Sequence, residues 1–184
     1  MEYAGIGATM VARIKNTRTP FGIDFGVGDV IVPNQVKRKI PTQLDDFIAP
    51  IVNTYSIETT VAEKIDAILS LMEFSSRMKD YYDIYYLANK FDFDGTVLKE
   101  ALRKTFENRE HNFTVEQFNQ VMCFDNDMAM KKKWKAFIRK IDTKTDDFGI
   151  VLNTINVFLR NPFTAVVSDG EFDKKWSAVG DGWK

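Results

Sequence analysis

Ile57-Glu58-Thr59-Thr60-Val61-Ala62-Glu63-Lys64 opens a stretch that continues through Ser76-Arg77-Met78-Lys79-Asp80-Tyr81-Tyr82-Asp83-Ile84 to Leu87. Its apolar spacing decides the fold. Ile57, Val61, Ile65, Ile68, Leu69 and Met72 recur at steps of three and four, the pattern of one buried helical face. Tyr81, Ile84, Leu87 and Ala88 repeat it and predict a second helix, with Ser75 and Ser76 as its N-terminal caps. Both stripes contain charges. Glu58 falls near the middle of the first face, and Lys64 lies on its edge, where the stem can follow the apolar stripe and the ammonium can reach past it. Stepping back four from Ile84 gives Asp80, and Arg77 stands one turn earlier. Asp83 is three after Asp80, so the two carboxylates are neighbours able to share a partner.

An ion in such a stripe costs on the order of several kcal/mol unless it is paired or bound to something. Spacing leaves two readings open. The cluster is either an ion-pair network tying two helices together, or a phosphate site in which Lys64, Arg77 and Lys79 hold anionic oxygens and Asp80 or Asp83 holds a metal or accepts a proton. The second reading makes the charges under-compensated in the free chain. Lys64→Met should then leave stability unchanged or raise it by up to about 1 kcal/mol.

Upstream of the helix pair, the period is two. Ile6, Ala8, Met10, Ala12 and Ile14 alternate, Asn16-Thr17-Arg18-Thr19-Pro20 supplies turn residues, and Phe21, Ile23, Phe25 and Val27 alternate again, so residues 1–33 read as a β-hairpin. Opposite the second apolar row stand Gly22, Asp24, Gly26 and Gly28. Asp24 is thus a single carboxylate on a surface cleared of side chains, either solvent-facing or approached closely by a ligand. Residues 34–56 hold Pro33's two successors, Pro41 and Pro50, and the basic run Lys37-Arg38-Lys39; they read as a proline-rich connector with at most a short helix over Thr42 to Ile48.

Residues 57–184 read as a helical domain. Asp94-Gly95 opens a helix to about Glu107, Thr114-Val115-Glu116-Gln117 opens a short one, and a third spans about Asp125 to Ile141 with Met130, Trp134, Phe137, Ile138 and Ile141 inward. The lysines around them form a solvated face or an RNA-binding patch. A last helix runs from about Asp147 to Leu159, where Asn161-Pro162 ends it. Trp176 and Trp183 in the tail imply that it packs back on the body. The fold class is therefore α+β, a short antiparallel β element followed by a mostly helical body of five to seven helices.

Composition bounds the function. The net charge is −1 over 184 residues, so any contact with nucleic acid must come from a local patch. Lone Cys123 and lone His111 exclude an internal disulfide and a Cys- or His-rich metal centre, which makes the cytoplasm the expected compartment. No apolar run suggests a membrane span.

These residues resemble a known family. Ala62-Glu63-Lys64 and Arg77-Met78-Lys79-Asp80-Tyr81-Tyr82-Asp83 are similar to the Ala-Glu-Lys and Arg-x-Lys-Asp-x-x-Asp motifs of the AbiE-type abortive-infection toxins (AbiEii family), nucleotidyltransferase-like toxins of type IV toxin–antitoxin systems acting in phage defence. Asp24-Phe25-Gly26-Val27-Gly28-Asp29 resembles the strand preceding them. The resemblance implies a remnant of a nucleotidyltransferase sheet at residues 1–33, with Asp24 as its later acid and possible metal ligand. It implies catalytic roles for Asp24, Lys64, Asp80 and Asp83, and substrate binding by Lys64, Arg77 and Lys79. Mg²⁺ and a nucleoside triphosphate are the family's expected cofactors. The implied partners are RNA, with a tRNA end as the expected acceptor, and a cognate antitoxin encoded by a separate gene.

The chain departs from the family pattern at one point. No Asp-x-Asp follows a Gly-Ser or Gly-Gly-Thr loop, so the sequence looks like a member lacking its first two motifs. Weak or absent catalysis is then expected, with neither Mg²⁺ nor nucleotide necessarily bound by this chain, and self-association through the exposed sheet edge. The alternative is a non-catalytic remnant or interaction domain whose charged helix pair is structural.

Overall fold

The change of period appears in the structure as a change of architecture. The computed structural model describes residues 5–141, 145–180 and 182–184. β1 (Gly5–Ile14) and β2 (Thr17–Gly26) pair along their whole length as an antiparallel hairpin. Its turn is only Lys15-Asn16, with Lys15 at φ 53°, tighter than the turn expected over Asn16 to Pro20. Pro20 instead lies within β2 opposite Val11. A two-stranded ribbon leaves each strand an outer edge, where a missing N–H breaks no ladder.

Cross-strand pairing sorts the faces as expected. Ile6 with Phe25, Ala8 with Ile23 and Met10 with Phe21 make one face apolar, while Gly5 with Gly26, Gly7 with Asp24 and Thr9 with Gly22 leave Asp24 alone on the other. Most of the hairpin is exposed on both faces.

The proline-rich connector is not a plain loop. β3 (Val36–Lys39) and β4 (Ile51–Thr54) form a second antiparallel hairpin, and Thr42 to Ile48 carry turns without a helix. Pro41 and Pro50 flank the excursion instead of interrupting strands, and the Ile40 N–H closes it on the Pro50 carbonyl. The basic run lies on β3.

Six helices follow among the described residues. α1 (Ile57–Leu71) begins at Ser56, whose Oγ accepts the Thr59 N–H at 3.0 Å. α2 (Met78–Lys90) follows α1 after a single turn of 3₁₀ helix at Met72–Phe74. α3 (Gly95–Asn108) is capped by Asp94, and α4 (Val115–Met122) by the Thr114/Gln117 capping box. α5 is Met128–Ile141; the residues before it, Phe124–Asn126, form a 3₁₀ turn, so the helix starts three residues later than expected. The core lies where α1, α2, α3 and α6 (Phe148–Val167) meet, around Ile65, Tyr81, Ile84, Leu102, Ile155 and Phe158.

α6 corrects the sequence reading, because it runs straight through Pro162. A proline inside a helix strands the carbonyl four residues before it. That carbonyl is Phe158 O, and the Trp183 indole N–H donates to it at 2.9 Å. Trp176 does the same for the end of α2, donating to Ala88 O at 2.7 Å. The tail thus packs back through β5 (Phe93–Asp94), β6 (Lys175–Ser177) and β7 (Gly182–Trp183), a small antiparallel sheet with no counterpart in the sequence reading. Running through Pro162 also makes α6 a 20-residue helix apolar enough, by length and composition, to cross a membrane. Eight of its residues are buried in the core, and Asn153, Asn156, Arg160 and Asn161 interrupt it.

Candidate functional site

Lys64 projects from the third turn of α1 toward the first turns of α2. Its Nζ lies 3.1 Å from Asp80 Oδ1 and 2.6 Å from Asp83 Oδ2, so one ammonium is shared by two carboxylates. Arg77 Nε stands 2.8 Å from Asp80 Oδ2 in an ion contact, and Lys79 Nζ 2.5 Å from Asp83 Oδ2. Asp80 is almost wholly buried, with 4% of its side chain accessible, whereas Arg77 and Lys79 are well exposed at 60% and 71%. Three cations against two carboxylates leave one positive charge in excess, and the exposed cations carry it to the surface. Burial and the neighbouring Asp80 push the Tyr81 phenol well above its ordinary value, so it stays neutral beside the cluster.

This geometry alters three expectations. Glu58 is only half-buried, and Thr59 takes the inward position instead. Ser75 does not cap α2 in the usual way. Its Oγ accepts the Arg77 N–H at 3.1 Å, one residue before the helix, and Arg77, at the N-cap, makes no side-chain capping bond. Lys64 also has two carboxylate partners in the free chain, so the charges are compensated and the stability expectation for Lys64→Met changes sign. Asp92, Asp94 and Asp127 have local jobs, as acceptors for the N–H groups of Ala178, of Thr96 and Val97, and of Met130.

Two supports were not legible in the sequence. Lys133, from the basic run on α5, donates to the carbonyls of Glu73 and Ser75, both at 2.9 Å, and so fixes the loop that presents Arg77. Lys131, Lys132, Lys135 and Arg139 line the opposite, solvent-facing side of α5. A second charged cluster occupies the far side of α1. There the Arg109 guanidinium contacts Glu63 and lies 2.6 Å from Asp66 Oδ2, while His111 Nδ1 lies 2.8 Å from Asp66 Oδ1. Burial raises the Asp66 carboxyl above its ordinary value, and the His111 hydrogen bond opposes this. The one hint in the sequence is that Asp66 lies four residues after Ala62 and three before Leu69, within the apolar stripe, and the structure buries it to 1% exposure.

Asp24 is not part of either cluster. It remains exposed on the glycine-lined face of the hairpin, with Gly7 directly opposite. The segment after β2 is fastened to the helical body: Val32 exchanges hydrogen bonds with Ser56 and Thr59, Asn108 donates to Gly28 O, and the Tyr55 hydroxyl donates to Asp29. Burial, reinforced by Asp29, raises the Tyr55 phenol to about 12.

The residues present do not fit a divalent metal. Asp24 is a lone carboxylate, Asp80 and Asp83 are both engaged by cations, and the described residues bring no three metal-ligating side chains together. What the α1–α2 cluster can do is hold anionic oxygens.

A sequence model of the family described as nucleotidyl transferase AbiEii toxin, type IV TA system, matches residues 2–167. Neither a curated protein nor a solved structure matches the chain.

Proposed function

The chain belongs to the AbiEii family of nucleotidyl transferase toxins of type IV toxin–antitoxin systems, and on that premise we propose that Lys64, Arg77 and Lys79 hold the triphosphate of a nucleoside triphosphate at a nucleotidyl transfer site. The observation that carries this is the one positive charge left over in the cluster, borne by Arg77 and Lys79, whose side chains are 60% and 71% exposed at its rim while Asp80 and Asp83 hold Lys64 between them. Two carboxylates hold the ammonium in one place, and the excess cation of the cluster favours an anion there.

The acceptor in this reading is an RNA, with a tRNA end preferred. Its terminal hydroxyl oxygen attacks the α-phosphorus, a new P–O bond forms, the bond to the β-phosphate oxygen breaks and pyrophosphate leaves. In this reading the hydroxyl proton goes to Asp83, the more exposed of the two carboxylates at 20% against 4%. Lys64 and Arg77 neutralise charge on the leaving phosphates.

Asp24 stands on the glycine-lined face of the hairpin, and as a single acid it cannot carry two-metal chemistry. We therefore assign this chain weak or no transfer by itself. Membership in a type IV system implies a cognate antitoxin. The place of action is the cytoplasm, in phage defence.

Self-association belongs to the same reading. Ile6, Met10, Ile14, Phe21 and Phe25 leave one hairpin face apolar and exposed, which a second hairpin can cover. Light scattering should show dimers that Ile6→Thr/Ile14→Thr dissociates; an unchanged mass across concentration would count against it.

Transfer is tested with α-labelled nucleoside triphosphates and total tRNA on denaturing gels. Slow labelling of RNA that Lys64→Met abolishes supports the assignment. Equal labelling by the variant contradicts it. The second reading, a non-catalytic interaction domain, is favoured by the same lack of grouped metal-ligating acids among the described residues, and predicts neither labelling nor nucleotide binding.

A further inference from the structure

α2 turns one continuous stripe to the outside. Lys79, Tyr82 and Tyr86 follow one another at steps of three and four, with Asp83 beside Tyr82, so the tyrosines begin one helical turn from Lys79. The rings of Tyr82 and Tyr86 are stacked, with centroids 6.4 Å apart and planes 25° apart. Phe137 of α5 backs Tyr82 at 6.0 Å, which fixes that ring, while Tyr86 remains 48% exposed. Among the described residues neither the Tyr82 nor the Tyr86 hydroxyl makes a hydrogen bond. The pair therefore offers an aromatic surface that packing leaves half open.

A cleft of 320 Å³ adjoins it, lined by Tyr82, Tyr85, Tyr86, Thr145 and Asp146. That is the lower end of the roughly 300–1,000 Å³ that small-ligand clefts span. Its chemistry differs from that of the cluster one turn away. The Tyr85 hydroxyl donates to Asp146, whose hydrogen bond raises the phenol to about 12, so among the described residues the lining of the cleft holds one carboxylate and no cation. A carboxylate accepts hydrogen bonds and repels phosphate. The stripe thus separates two chemistries, phosphate at its Lys79 end and a flat, uncharged, donor-bearing group at its Tyr86 end.

We infer that Tyr82 and Tyr86 form a stacking platform for a nucleobase, with Asp146 placed to accept from the donor edge of that base. The inference rests on the reading of the ion cluster as a phosphate site and adds a second subsite to it. Two sources of base fit the same chemistry, the nucleoside triphosphate itself and the unpaired end of the RNA. Base–aromatic stacking tolerates every base, so the platform supplies affinity and position more than sequence choice.

The test compares wild-type, Tyr86→Ala and Tyr86→Phe chains binding three probes. These are inorganic tripolyphosphate and ATP, by titration calorimetry, and a 5′-fluorescein-labelled hexa-adenylate RNA, by anisotropy. Tyr86 is exposed, so the alanine variant keeps the core, and circular dichroism checks this. The platform predicts that Tyr86→Ala weakens ATP, the hexanucleotide or both by about ten-fold or more, that Tyr86→Phe restores them, and that tripolyphosphate is unaffected. Loss confined to ATP places the substrate base on the platform; loss confined to RNA places the acceptor's end there. Unchanged binding of both base-containing probes overturns the platform and leaves the phosphate reading standing. Failure of the wild-type chain to bind any probe overturns both. An equal loss of tripolyphosphate shows that Tyr86→Ala acts on the ion cluster, and refutes a separate base subsite.

Discussion

Lys64→Met removes the shared counter-ion while keeping the stem that packs along α1. Asp80, with 4% of its side chain accessible, then keeps only Arg77 at 2.8 Å, and Asp83 keeps Lys79 at 2.5 Å. Stripping one partner from a buried pair costs about 3–5 kcal/mol. Two features reduce this here. Arg77 still compensates Asp80, and Asp83 is accessible enough for water to replace part of what the ammonium supplied. A loss of about 2–3 kcal/mol follows. For a chain of this length that corresponds to a fall in melting temperature of roughly 4–12 °C.

The cause is separable from general damage by a double-mutant cycle. Asp80→Asn replaces the carboxylate by an amide that needs no counter-ion, so Lys64→Met should cost less in that background, with a coupling of about 1–3 kcal/mol. Urea unfolding followed by tryptophan fluorescence and far-ultraviolet circular dichroism gives each corner of the cycle. An unchanged midpoint for Lys64→Met, or strictly additive single variants, would refute the argument that Lys64 compensates Asp80.

Other expectations follow from single contacts. Trp183→Phe leaves the Phe158 carbonyl without its indole donor and should cost about 1–3 kcal/mol; in a Pro162→Ala background, where the helix can supply its own N–H, the cost should shrink, and equal costs in both backgrounds would exclude this role. The buried Tyr81 hydroxyl makes no hydrogen bond among the described residues, so Tyr81→Phe should be neutral or stabilising by up to about 1 kcal/mol, and a clear loss in chemical denaturation would show a missed partner. Tyr55 has its phenol raised from 10.0 to about 12 in the folded chain. Its stabilising contribution is therefore complete below pH 10 and lost as pH rises toward 12, and Tyr55→Phe should flatten that part of the alkaline unfolding profile; parallel profiles would contradict it.

Legibility in the sequence tracked the range of the interaction. The α1 stripe, the Asp94 cap and the Thr114/Gln117 box depend on residues within about one turn of each other, and they read directly. So did the neighbourhood of Asp80 and Asp83, although the sharing of Lys64 between them depends on how α1 and α2 pack. Pro162 misled because the donor that rescues Phe158 O lies at Trp183, a partner no local rule supplies. Pro41 and Pro50 misled for a related reason, since β3 and β4 satisfy each other across the excursion. The Asp66–Arg109–His111 cluster joins the interior of α1 to the residues just after α3 through space, and only the place of Asp66 in the apolar stripe hinted at it.

The central claim is that Lys64, Arg77 and Lys79 bind a triphosphate. Calorimetric titration of inorganic tripolyphosphate into the chain and into Lys64→Met, at a temperature where both are folded, tests it most directly. The account predicts one binding site whose affinity falls by about ten-fold or more in the variant, since a charge-assisted contact contributes roughly 1.5–3 kcal/mol. Equal affinity for the two proteins, or no binding to the wild-type chain, would identify the cluster as a structural ion-pair network and contradict the account.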